Sequence, residues 1–270
     1  GLTGEVLGLI CDGTGWGTDG AVWGGEILRG DYSSFSRLAH LKYLPLPGGD
    51  VTARKPYRMA LVYLLLALGE EGLKMADKHL PWLSTEEKEI VASRVQQRPC
   101  REISTSSCGR LFDAVAAFLG VCGINAYEGQ AAVELEARAD QKQKGSYGYD
   151  VVRENGLLIM DVFPMWQDMV AQIKKRTPVE VIAQRFHLTL VDMFTNTLLR
   201  LRDETGLNRV VLSGGVFHNQ ILLERLMQNL TNKDFYVFQH QQVPPGDGGI
   251  ALGQAVIGSE VMHNVLGCAR

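Results

Sequence analysis

What this 270-residue sequence lacks narrows it first. It has no C-x-x-C pair and no H-E-x-x-H, and its six histidines (His40, His79, His187, His218, His240, His263) include no i, i+4 couple, so no complete metal or redox motif is visible. Its five cysteines (Cys11, Cys100, Cys108, Cys122, Cys268) are an odd number, which suits reduced, mostly buried thiols rather than a disulfide framework. The apolar stretch over residues 61–68 is far too short to span a bilayer, and the start has no basic segment followed by an apolar run. No membrane role is expected, and the cytoplasm is the default location. An excess of positive charge is also lacking. The net charge is −3, whereas polyanion binding draws its energy from clustered Lys and Arg, so nucleic acid is disfavoured as a partner.

What is present is a chain with 46% hydrophobic residues, long enough to bury a sizeable core as one large domain or two lobes. It opens almost directly into a strand-like run, residues 5–10, as a piece of a longer protein would. A strand over residues 6–10, a glycine-rich turn over 12–20 and a strand over 21–28 predict a hairpin. A helix opens near Pro56 with apolar residues on every side, which predicts burial all round. Ser84-Thr-Glu-Glu87 has the form of a capping box and starts a helix toward Gln97. Residues 106–120 read as a serine-capped helix ending at a glycine, with Asp113 in its middle. Residues 140–155 read as a loop and possible strand edge.

Thr177-Pro-Val-Glu180 combines an N-cap threonine, a first-turn proline and a capping glutamate, predicting a long helix to about Gly206. The remainder alternates regularly. A strand over 209–213, a Gly214-Gly215 turn, a helix over 219–229, a strand over 234–238 and a helix over 248–258 give βαβα order, hence an α/β fold with parallel crossovers.

The residues able to carry chemistry cluster at glycines. Asp12-Gly13-Thr14-Gly15 follows a strand. Glycines there let backbone N–H groups approach phosphate oxygens, and a carboxylate at the strand end holds a metal; a capped hairpin turn is the plain alternative. Ser213-Gly214-Gly215-Val216 sits at a strand-to-helix turn whose helix N-terminus favours an anion. Asn219, one helical turn on, is either an N-cap or a contact to a base or ribose edge. Asp247, between glycines at a helix start, is an N-cap or a metal ligand. Asp113 needs a partner in its apolar helix, either Arg110 one turn earlier or a ribose diol. His187, His218 and Cys11 read as core or packing residues rather than ligands or nucleophiles.

Taken in order, Asp12-Gly-Thr-Gly-Trp-Gly-Thr-Asp-Gly20, Trp23-Gly-Gly-Glu26, Leu46-Pro-Gly-Gly49, Gly109-Arg-Leu-Phe-Asp-Ala114, Tyr127-Glu-Gly-Gln-Ala131, Ser213-Gly-Gly-Val216 and Pro245-Gly-Asp-Gly-Gly-Ile-Ala-Leu-Gly253 span nearly the whole chain. As an ordered set they resemble the C-terminal part of the HypF carbamoyltransferases. The resemblance implies a single carbamoyltransferase domain over residues 1–270, of the actin-like, sugar-kinase and Hsp70 ATPase fold, incomplete and with a helical insertion. It implies carbamoyl transfer from carbamoyl-adenylate to the C-terminal cysteine of HypE during hydrogenase maturation. Carbamoyl phosphate and ATP would enter through an upstream YrdC-like domain, which this sequence does not contain, nor does it contain the acylphosphatase-like and zinc-finger segments.

Position by position, the resemblance makes Asp12 and Asp247 catalytic metal ligands for a divalent ion, iron, zinc or magnesium. Gly13, Thr14, Gly214 and Gly215 become nucleotide contacts, Asn219 an adenosine contact, and Asp113 and Gly129 ribose contacts. The family's H-x-x-x-H pair would lie upstream of residue 1, so the isolated chain is expected to be inactive. Arg110 stands where tRNA-modifying relatives carry a glutamate. The rival readings are an O-carbamoyltransferase of natural-product biosynthesis, a sugar-kinase-like ATPase with Asp12 as base, and a non-catalytic nucleotide-binding module.

Overall fold

The computed structural model describes residues 2–96 and 102–267. A long strand, β1 (Val6–Trp16), pairs antiparallel with β2 (Val22–Gly30), and β2 with β3 (Phe35–Leu41), so the hairpin is present. Its turn is shorter than expected. β1 runs on to Trp16, and Asp12, Gly13 and Thr14 form an irregularity between the paired residues Cys11 and Gly15. A bulge of this kind bends a strand and re-aims its side chains, and such bulges are common beside active sites.

Two short strands, β4 (Leu44–Pro45) and β5 (Ser104–Thr105), bracket a helical stretch made of α1 (Asp50–Arg54), α2 (Tyr57–Leu68), α3 (Glu70–His79) and α4 (Thr85–Gln96). α2 is buried over most of its length, with Tyr57 and every residue from Met59 to Leu65 in the core, but Leu66 in its last turn is exposed, so burial is not all round. Only half of the expected capping box at α4 forms. Ser84 Oγ accepts from Glu87 N at 3.1 Å, but the Glu87 carboxylate turns away to Tyr57 (2.8 Å), Arg58 Nε (2.7 Å) and Lys55 (3.2 Å). A carboxylate with three partners, two at the start of α2 and Lys55 just before it, gains more than one reaching back to a single exposed N–H. The end of this helix expected at Gln97 lies outside the described residues.

After β5 come α5 (Cys108–Phe118), α6 (Gln130–Arg138), a hairpin of β6 (Asp150–Glu154) and β7 (Leu157–Asp161), α7 (Phe163–Lys174) and α8 (Val179–Thr205). Residues 140–149 hold no strand or helix, as the loop reading of 140–155 expects, and β6 is its possible strand edge, here paired with β7 in a hairpin. Its turn is Asn155-Gly156, both with positive φ (49° and 87°), a two-residue hairpin signal between apolar runs. At α8 the cap differs from expectation. Pro178 is the N-cap residue, with no side-chain cap, and Thr177 Oγ1 instead donates to Gln172 at 2.7 Å. Gly206, left-handed at φ 72°, ends the helix as expected.

The chain closes with β8 (Arg209–Ser213), α9 (Gln220–Thr231), β9 (Tyr236–Gln239) and α10 (Ile250–Gly267). The sheet order is β6-β7-β3-β2-β1-β8-β9, with β8 parallel to β1 and β9 parallel to β8, an α/β architecture on a mixed sheet. Because β1, β8 and β9 run the same way, the chain segments following their C-terminal ends emerge at one edge. That is the edge where α/β sheets place their ligands. Among the described residues no helix is long and apolar enough to cross a membrane.

Candidate functional site

Four separated segments meet at this edge. The first is the bulge, where Asp12 Oδ1 accepts from Gly13 N at 2.7 Å and Thr14 is exposed. The second is the start of α5. Ser107 caps that helix, its Oγ accepting from Arg110 N at 3.0 Å while its hydroxyl lies 2.7 Å from Gly13 O and 3.0 Å from Asp12 O, residues 94 and 95 positions away. The contact is close because Gly109 has no side chain. A Cβ there would stand 2.8 Å from Gly13 Cα.

The third segment is Gly214-Gly215, after β8. Gly214 has φ 105° and a Cβ on it would lie 2.1 Å from Cys11 O, so only glycine fits. A Cβ on Gly215 would lie 3.3 Å from Asp12 Oδ1, which brings the second glycine turn against the first carboxylate. The fourth is the Pro245–Asp247 loop. Pro245 O accepts from Gly214 N at 2.9 Å, and Gly246 packs so near Gly215 that a Cβ would meet Gly215 Cα at 3.5 Å. Asp247 follows, exposed, at the start of a short 3-10 turn with no side-chain cap bond. Ser213 Oγ and His240 Nε2, 2.9 Å apart, tie the end of β8 to the end of β9. The crevice therefore joins Asp12, Gly13, Gly214, Gly215 and the approach to Asp247.

The remaining candidates lie behind this rim. Asn219 is the N-cap of α9, its Oδ1 accepting from Leu222 N at 2.9 Å. Its amide nitrogen faces His187 Nε2 at 3.0 Å, and Asn219 is only 6% exposed. His187 is fully buried in α8, as expected, with Nδ1 2.7 Å from Ala183 O. Since that carbonyl can only accept, Nδ1 carries the proton and Nε2 accepts from Asn219. Burial drives the His187 pKa down to about 4, so the ring is neutral. His218, by contrast, is exposed at the end of the turn rather than in the core.

Asp113 is 1% exposed, and its partner is the one available in its own helix, Arg110, with Nη2 3.0 Å from Oδ2. Burial pushes its carboxyl up to about 6, against the opposing effects of Arg110 and then Asn125. Asn125 Nδ2 lies 3.4 Å from Asp113 Oδ1, and Asn125 Oδ1 accepts from Ala131 N at 3.0 Å, just past Gly129. Gly129 is the left-handed N-cap of α6 at φ 76°. One asparagine thus connects the two candidates Asp113 and Gly129. On the same side, Glu136 of α6 accepts from Gln220 N at 2.7 Å, placing a carboxylate at the start of α9.

Glu26 supports the site from below. It is buried and accepts from Gly24 N (2.6 Å), Gly25 N (2.7 Å) and the Ser106 hydroxyl, yet burial still pushes it up to about 7. Cys11 and Cys108 are fully buried thiols, and burial followed by contact with Cys108 raises the Cys11 pKa well above the ordinary thiol range. Cys122 is likewise a free, buried thiol; Cys100 and Cys268 lie outside the described residues. Among the described residues no three His, Cys, Asp or Glu side chains converge as a metal-binding group.

Comparison with known proteins gives the family. The family model described as carbamoyltransferase, Kae1-like domain, second subdomain, matches residues 8–254. The chain is 32% identical over 254 residues to a probable carbamoyltransferase HypF of Methanocaldococcus jannaschii, covering 93% of this chain and 32% of that protein. It is 36% identical to the carbamoyltransferase HypF of Rhodobacter capsulatus, covering 97% and 33%. It thus spans about a third of the length of these relatives. The crystal structure of a full-length HypF in a phosphate- and nucleotide-bound form superposes with a TM-score of 0.89 at 38% identity, over 97% of this chain and 34% of that one. A match over almost the whole chain, in sequence and in fold, assigns the family: this chain belongs to the HypF carbamoyltransferases.

Proposed function

We propose that the crevice binds an adenine nucleotide, and that the full-length gene product uses it to pass a carbamoyl group from carbamoyl-adenylate to the C-terminal cysteine of HypE during hydrogenase maturation. The observation that carries this reading is the convergence of the Asp12-Gly13 bulge, the α5 N-terminus, the Gly214-Gly215 turn and the Asp247 loop at the C-terminal edge of β1 and β8. Glycine turns and a helix N-terminus present backbone N–H groups where an anion binds. The order β3-β2-β1-β8-β9, antiparallel across β1–β3 and parallel from β1 to β9, supports reading this as one lobe of an actin-like ATPase.

Asp12 and Asp247 are the carboxylates we assign to a divalent cation. The donors this chain supplies suit a hard cation that shares phosphate oxygens, such as magnesium, while iron or zinc would draw imidazoles from outside it. When bound, the cation would offset charge on the nucleotide phosphate. Gly13, Thr14, Gly214 and Gly215 then hold the phosphate end, and the Asp113–Asn125–Gly129 link with Asn219 shapes the nucleoside side.

In the transfer step the thiolate of HypE attacks the carbamoyl carbon, a C–S bond forms, and the C–O bond to phosphate breaks with AMP leaving. The chain's amides stabilise the charge that develops on the leaving phosphate. Cys11 is no nucleophile here, because burial keeps its thiol protonated.

The test is transfer of a labelled carbamoyl group to purified HypE by the full-length gene product, read as a mass gain on the acceptor's C-terminal peptide. Asp247→Ala, at an exposed position with no cap bond, is expected to leave the fold intact and cut transfer by roughly 10²–10³-fold. No mass gain with the wild-type protein would refute the reading.

A further inference from the structure

The guanidinium of Arg110 has more donors than partners. Its side chain is 10% exposed, and only Nη2 faces a carboxylate, that of Asp113. Its Nε and Nη1 are buried with no hydrogen-bond partner. A cation withdrawn from water with donors unmet is costly unless something at the site completes it. Its location says what that is. Arg110 lies in the first turn of α5, the eleven-residue helix whose N-terminus abuts the Asp12-Gly13 bulge, and a Cβ on Gly13 would stand 3.4 Å from Arg110 Nη2. Charge, helix N-terminus and glycine bulge all favour the same ligand chemistry, an oxyanion.

We infer that Arg110, held in place by Asp113, is the cationic contact for a phosphate oxygen of the nucleotide in the crevice. Asp113 is then a positioning residue, and the pair of Gly109-Arg-Leu-Phe-Asp113 works as a unit. The Arg110–Asp113 contact reads in sequence as a plain intrahelical pair. Here only one of the three guanidinium nitrogens is spent on it. The inference rests on the nucleotide reading above but is separable from it.

The experiment measures binding of ATP, AMP and adenosine to the full-length gene product and to Arg110→Gln and Arg110→Lys, with thermal melting alongside. Arg110→Gln is expected to weaken ATP and AMP roughly tenfold to a hundredfold, as loss of a charge-assisted hydrogen bond does, while adenosine binds as before. Because Arg110→Gln strands a buried Asp113, Arg110→Lys, which keeps a cation beside that carboxylate, gives the second reading. It keeps the charge on a shorter-reaching ammonium and is expected to lose affinity several-fold for ATP and AMP but not for adenosine. Equal loss for ATP and adenosine would make Arg110 a frame residue and overturn the inference. Unchanged ATP affinity in a folded variant would overturn it too, leaving the nucleotide reading standing. A wild-type protein that binds none of the three would overturn both.

Discussion

Replacing Asn219 tests the link between the glycine turn and the core. In Asn219→Ala two things are lost at once. The cap on α9 costs about 1 kcal/mol, within a range of about 0.5–2. The buried His187 Nε2 is left without its donor, which costs about 1–3 kcal/mol. Together the variant should lose about 2–4 kcal/mol in urea unfolding with an unchanged denaturant slope. Asn219→Asp separates the two effects. Its carboxylate still caps α9 through Oδ1, but it offers an acceptor to a nitrogen that is itself an acceptor. The ring resolves the conflict by taking a proton, so His187 should titrate above its ordinary 6.5 rather than near 4.

This changes the pH profile of stability with a definite sign. In the wild type the folded His187 pKa is depressed, so between about pH 6.5 and 4 the unfolded chain binds a proton the folded one does not. Stability from this group is therefore lost as pH falls through that window, by up to about 3 kcal/mol for a shift of this size. In Asn219→Asp that loss should vanish or reverse. The assay is an NMR titration of the His187 ring with parallel urea melts at pH 5 and 7. If Asn219→Ala costs under about 0.5 kcal/mol, or if His187 in Asn219→Asp still titrates near 4, the reasoning is wrong.

Other outcomes follow from the same geometry. Gly214→Ala places a methyl 2.1 Å from Cys11 O at a φ of 105°, so a large drop in melting temperature and loss of nucleotide binding are expected; a variant melting like the wild type would contradict the close approach. Glu26, raised to about 7 in the folded state, binds a proton the unfolded chain lacks between about pH 4.5 and 7. Its contribution to stability therefore falls as pH rises through that window by about 3 kcal/mol, and Glu26→Gln should flatten that part of the profile in urea melts. Asp113→Asn leaves the Arg110 charge without its counter-ion and should cost about 3–5 kcal/mol, read by denaturant unfolding; a neutral result would show that the pair carries no structural weight.

Much of the architecture is local and therefore legible. The hairpin of β1 and β2, the burial of most of α2, the serine cap of α5, the left-handed stop at Gly206 and the alternation from β8 to α10 follow from glycine placement, capping chemistry and hydrophobic period, which act within a few residues. Asn155-Gly156 was equally local, and it was the available signal for the β6–β7 hairpin. α7 had no comparable marker beyond its first-turn proline.

What local chemistry could not decide was the choice between partners. Thr177 and Glu87 had the residue types of caps, but Thr177 bonds Gln172 at the end of the preceding helix and Glu87 is drawn to Tyr57 and Arg58, about thirty residues away. Asn219 could cap or reach out, and only the packing of α8 against α9 put His187 within 3.0 Å of its amide. Asp12 stands in a strand bulge, and Ser107, Gly214 and Pro245 in local turns or helix starts. The sheet order, which sets β8 beside β1, makes them one crevice. The sequence by itself determined many of the residues that sit at the ends of strands and helices, because those positions obey short-range sterics and hydrogen bonding. Only the tertiary structure decided which of those ends face one another, because that depends on long-range pairing and on which polar groups burial leaves to find each other.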